Sequence, residues 1–150
     1  MAGEGEVELV DVTARQSVRL EEYDCIGFAS GIYFGAFHSG VLAFARQYLP
    51  QGKPVFFVYT YGGAKGSGAK AAEEIAVEKN CPVLGEFSCK GYDTFGPFKL
   101  VGGIAKGRPN QRDLENACQF YRDVKNRLCG DPSLSARRMA ATFSVKINFP

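Results

Sequence analysis

Apolar strands alternating with amphipathic helices predict an α/β fold, a three-layer sandwich around a mainly parallel sheet. Three observations carry this reading. Pro54-Val-Phe-Phe-Val-Tyr59 is an unbroken apolar run, as expected of a strand buried on both faces under covering helices. Phe37, Val41, Leu42, Ala45, Tyr48 and Leu49 recur at helical spacing just before it. Leu114, Ala117, Cys118, Tyr121, Val124 and Leu128 make a second helical stripe near the end of the chain.

Each element follows from local chemistry. Val7 to Val12 alternates in part and suits an edge strand, and Cys25-Ile-Gly-Phe-Ala29 is apolar on both faces and reads as central. Pro50 and Gly52 end the first helix. Ser67 stands where it would cap the next, whose Ala69, Ala72, Ile75 and Ala76 form a narrow face. Asn80-Cys-Pro82 closes that helix, and Val83 to Phe87 follows as a strand. A glycine- and aromatic-rich segment runs from Ser88 to Pro109. Asn110 then caps the last helix, with Asp113 placed like the acid of a capping box. Residues 1–130 read as one domain and 131–150 as a tail, in which Phe143, Val145, Ile147 and Phe149 alternate with polar residues like a half-buried strand.

Composition excludes several classes. At 150 residues, 45% apolar and 23% charged, the chain is an ordinary globular domain. A formal charge of +2 is too small to argue for nucleic acid. No apolar run approaches the ~20 residues of a membrane-spanning helix, and the acidic start, Met1 to Glu6, lacks the apolar core of a signal peptide. Cys25, Cys81, Cys89, Cys118 and Cys129 are odd in number and form no Cys-x-x-Cys pair, which suits a reduced cytoplasmic compartment. With His38 the single histidine, a zinc site is not expected. Cys25 and Cys118 read as packing residues; Cys89, beyond a strand end, is a candidate for redox or flavin contact.

Two loops hold the candidate site: Ser30-Gly-Ile-Tyr-Phe-Gly-Ala-Phe-His38 and Thr60-Tyr-Gly-Gly-Ala-Lys-Gly66, each following an apolar strand. In open parallel sheets, ligands sit outside the carboxyl ends of the strands. Glycines admit a planar ligand to the backbone, and aromatic side chains can cover its faces. A nucleotide P-loop is a poor rival, because Ala69 stands where the lysine belongs and Lys70 comes one place late. No nucleophile–base set can be assembled, and no catalytic residue is named. His38 reads as a helix-start residue.

With Gly85 to Lys99 and Gly107 to Leu114, the Ser30–Gly35 stretch resembles the small single-domain flavodoxin-like proteins, from about Tyr23 to Val124. The resemblance implies a flavodoxin-like sheet, FMN as cofactor, and electron transfer to a redox partner protein or a small acceptor. It implies that Ser30, Gly31, Ile32, Tyr33, Phe34 and Gly35 line one side of the flavin ring, and that Thr60, Tyr61, Gly62 and Gly63 line the other. The loop of Tyr92, Asp93, Phe95 and Phe98, basic through Lys99, Lys106 and Arg108, would cap the pocket or meet a partner. Gly31 stands where the family commonly has proline. The first strand, phosphate loop and first helix of that fold have no counterpart at the start of this sequence. The expectation is therefore an N-terminally truncated version that binds FMN weakly or has lost it. Its missing central strand would be replaced by the tail, by a second copy in a homo-oligomer, or by the rest of a longer flavoprotein. The alternative from another class is a flavin-free interaction module.

Overall fold

The computed structural model describes residues 7–12, 18–93, 100, 102–130 and 139–143. Its elements run β1 (Val7–Asp11), a short 3₁₀ turn (Leu20–Glu22), β2 (Cys25–Tyr33), β3 (Ala36–Phe37), α1 (Ser39–Tyr48), β4 (Val55–Tyr61), α2 (Lys70–Glu78), β5 (Val83–Lys90), α3 (Gln111–Gly130) and β6 (Met139–Phe143). The main sheet has the order β1-β6-β2-β4-β5 and its paired strands are parallel; β3 pairs antiparallel against the end of β2.

Handedness assigns the layers. From β1 through β2 and β4 to β5 the chain moves in one direction across the sheet, then α3 carries it back over two strands to β6. Right-handed crossovers put the outward connections on one face and the return on the other. The packing agrees. Leu20, Val41, Phe44, Ala45, Ala72, Ile75 and Ala76 close over Ile26, Phe28, Val55, Phe57 and Tyr59. Tyr121, Val124 and Leu128 of α3 cover Cys25 and Phe56 on the opposite face. Arg127 ties α3 to the sheet edge through a hydrogen bond to the Leu84 carbonyl. The result is the expected three-layer α/β sandwich.

The position between β1 and β2 is filled by residues 139–143. β6 pairs residue for residue with both neighbours, so Val7, Met139 and Cys25 form one row and Asp11, Phe143 and Ala29 another. Of the three fillers considered for the gap, the tail is the one seen, although its strand ends where the alternating segment begins. Residues 144–150, which include Val145, Ile147 and Phe149, lie outside the described residues.

Two residues of the expected α3 stripe, Leu114 and Cys118, are not buried. Leu114 is 53% exposed, while Asp113 is buried at 6%. The capping box explains this: the Asn110 side chain accepts from the Asp113 amide at 3.1 Å, the Asp113 carboxylate accepts from the Asn110 amide at 2.9 Å, and Arg108 adds an ion pair at 2.6 Å. That box turns the first helical turn so that the acid, not the leucine, faces inward. Cys118 is only half-buried.

Candidate functional site

The first candidate loop is mostly strand. Ser30, Gly31, Ile32 and Tyr33 finish β2, and only Phe34 and Gly35 turn the chain into β3, with Ile32 opposite Phe37 and Tyr33 opposite Ala36. Both turn residues have positive φ, 51° at Phe34 and 83° at Gly35. That pattern belongs to the two-residue hairpin turn whose twist matches the strands, and it normally calls for Asn, Asp or Gly. Phe34 is a bulky residue in the left-handed region, an uncommon placement of the kind that concentrates at functional sites. Its side chain is 91% exposed, so core packing does not ask for it there.

Behind the turn, Ser30 is buried and used internally. Its hydroxyl donates to the Gly31 carbonyl at 2.7 Å and accepts from the His38 amide at 3.0 Å, bracing the hairpin against the start of α1. His38 is the cap of α1, its Nδ1 accepting from the Gly40 amide at 3.1 Å. The Tyr33 ring meets His38 edge-on at 5.5 Å and folds back over Gly31, where a Cβ would come within 3.0 Å of it. Glycine at 31 therefore makes room for Tyr33, which stays 42% exposed.

In the second loop, Thr60 and Tyr61 finish β4. Tyr61 is half-buried against the α1/α2 core, which makes it partly a packing residue. Gly62 lies against Asp93, at 2.2 Å from any added Cβ, and the Gly91 amide donates to the Tyr61 carbonyl at 2.9 Å. Ser67 does not cap α2, whose first turn has Ala69 before it and no side-chain cap. Instead, its amide and hydroxyl both donate to the Gly35 carbonyl, at 2.8 and 2.7 Å. Gly66 packs directly on Gly35, where a Cβ would stand 2.4 Å from the Gly35 Cα. The two loops are thus joined into a pair of jaws at the carboxyl ends of adjacent parallel strands.

A second clasp holds the loop to β5. Lys65 Nζ lies 3.0 Å from Glu86 Oε1 and 5.2 Å from the centre of the Tyr59 ring, and the Tyr59 hydroxyl donates to Glu86 Oε2 at 3.2 Å. Contact with the Tyr59 hydroxyl, then with Glu86, raises the Lys65 ammonium above its ordinary value. No local signal marks this trio, because it joins β4, the loop and β5.

The third segment is anchored by Tyr92, which is 53% exposed and donates through its hydroxyl to the Gly102 carbonyl at 3.0 Å. Asp93 pairs with Ile104 across an isolated bridge. Phe95, Phe98 and Lys99 lie outside the described residues. Cys89 sits within β5 rather than beyond it and is buried, which pushes its thiol pKa up. It is no ready thiolate. Among the described residues no three His, Cys, Asp or Glu side chains gather as metal ligands do, and no helix is long and apolar enough to cross a membrane.

No family model matches the chain. It is 39% identical over 107 residues to MJ0298, an uncharacterized protein of Methanocaldococcus jannaschii, across 70% of this chain and 71% of that one.

Proposed function

The chain belongs to the family of that uncharacterized archaeal protein, and for it we propose a flavodoxin-like redox role, with the two jaws holding a flavin ring and an open ring edge serving a redox partner protein or a small acceptor. One observation carries the proposal. The Phe34–Gly35 turn and the Gly62–Gly68 loop meet at the carboxyl ends of β2 and β4, and the turn presents an exposed phenylalanine from a left-handed backbone. Ligands of open parallel sheets bind at that end, and aromatic faces stack on planar rings.

The residues fit the ring portion of FMN. Tyr33 and Phe34 are exposed and would cover a face of the ring. The backbone of Gly62 and Gly63 offers the opposite jaw, and Tyr61 supports it from the core. Ser30 and Thr60 act as framework. Bound FMN would supply reversible electron storage, while the protein orients the ring and shields it from water.

The phosphate end fits less well. In the two jaws the Ser30 and Ser67 hydroxyls are already spent on the Gly31 and Gly35 carbonyls. A full phosphate wall contributes several charge-assisted hydrogen bonds at about 1.5–3 kcal/mol each. Without it, affinity falls to roughly micromolar or weaker, and riboflavin binds about as well as FMN.

Fluorescence titration of the purified chain with both flavins tests this reading. Similar micromolar quenching by the two supports it; nanomolar binding of FMN alone would mean a phosphate site elsewhere. Failure of both flavins to bind favours the flavin-free interaction module, for which the exposed Phe34 would be the contact. Five free thiols suit a cytoplasmic setting.

A further inference from the structure

We propose that Lys65, Glu86 and Tyr59 form a latch that sets the position of the second jaw, making Lys65 and Glu86 positioning residues of the site. The ligand half of this inference rests on the flavin reading; the latch itself rests on geometry alone.

The three side chains come from three elements. Tyr59 is on β4 and fully buried, Lys65 is on the loop, and Glu86 is on the edge strand β5. Glu86 spends one oxygen on each partner, Oε1 on Lys65 at 3.0 Å and Oε2 on the Tyr59 hydroxyl at 3.2 Å. The lysine stem runs beside Gly68, whose φ of +56° lets the loop pass within 2.7 Å (for an added Cβ) of the Tyr59 hydroxyl. Two residues further on from Lys65, Ser67 holds Gly35 by two hydrogen bonds. The loop is therefore clasped twice, to β5 at Lys65 and to the hairpin at Ser67, with only Gly66 between.

An exposed ion pair contributes little to global stability, and these side chains are 44% and 38% exposed. Their effect is local. Releasing Lys65 removes the clasp in the middle of the Gly62–Gly68 loop and leaves Ser67 alone to hold it, and a looser jaw must be ordered when a ligand binds.

The test is amide hydrogen exchange on the full chain without ligand, in wild type, Lys65→Met, Glu86→Ala and Lys65→Arg. The Ser67 and Gly68 amides, bonded to the Gly35 and Lys65 carbonyls, should exchange faster in the first two variants, while Lys65→Arg keeps wild-type protection. The Val55 amide, bonded to the Pro82 carbonyl, should keep its protection in all four. Riboflavin affinity should fall about 2- to 5-fold in Lys65→Met and Glu86→Ala, the scale of an exposed ion pair, and recover in Lys65→Arg. Unchanged Ser67 protection in both loss variants would overturn the latch. So would an equal rise at Val55, which would mean global unfolding, or unchanged riboflavin affinity despite faster exchange. If wild type binds no riboflavin yet the exchange pattern holds, the latch stands and the flavin reading falls.

Discussion

The carbonyl of Gly35 accepts two hydrogen bonds from a single residue, Ser67, one from its amide at 2.8 Å and one from its hydroxyl at 2.7 Å. This joins loops that lie more than thirty residues apart in sequence and would otherwise be independent strand ends. Ser67→Ala removes one bond and should cost about 1 kcal/mol. Gly66→Ala should cost more, about 1–3 kcal/mol, because its Cβ would meet the Gly35 backbone, not a side chain that can swing away. Urea unfolding of the two variants checks both the direction and the order.

Tyr33 and Tyr61 separate ligand stacking from packing. Tyr33 is partly exposed and touches only Gly31 and His38 among the contacts described above, whereas Tyr61 packs on the core. Alanine at 33 should weaken flavin binding by about 1 kcal/mol through lost stacking and leave the melting temperature nearly unchanged. Alanine at 61 should lower the melting temperature as well. A Tyr33→Ala protein that melts much earlier without flavin would make the ring a structural one.

The start of α3 depends on a reciprocal pair. Asn110→Ala should cost about 0.5–2 kcal/mol as a lost cap. Asp113→Ala should cost at least as much, since it removes the partner of both the Asn110 amide and Arg108. Denaturant unfolding of the two single variants and the double variant measures this, and the double should cost less than the sum because the residues share one network.

β6 places residues 139–143 inside the sheet, between β1 and β2. A chain ending at Gly130 would leave β1 and β2 two strand spacings apart, ~9.5 Å, each with an unpaired edge. It should lose cooperative melting or self-associate, as read by calorimetry and light scattering. A compact monomer with a sharp transition would mean that β1 and β2 can close up without β6.

Much of this fold is legible in the sequence, and the exceptions share a cause. The buried run at Val55 to Tyr59, the helices and the Asn110/Asp113 box are local patterns that packing leaves in place. β2 extends through Gly31 to Tyr33 because β3 and β4 pair with it, overriding a stretch that reads as loop. β6 has little pattern of its own; Met139-Ala-Ala-Thr-Phe143 is a strand because two neighbours supply backbone partners, whereas alternation draws the eye to the residues after it. In the same way, Ser67 carries the sequence signal of a helix cap, and only the approach of Gly35 redirects it. The jaw residues could be named from sequence, but the contacts that join the jaws could not.

The most direct test of the account is to map riboflavin binding on the isotope-labelled chain by amide chemical shifts. Saturable shifts should fall on residues 31–35 and 61–67, with none along the outer face of α2 from Lys70 to Glu78. Saturable shifts confined to another surface, or none at millimolar riboflavin, would contradict the claim that the two jaws form a flavin-ring site.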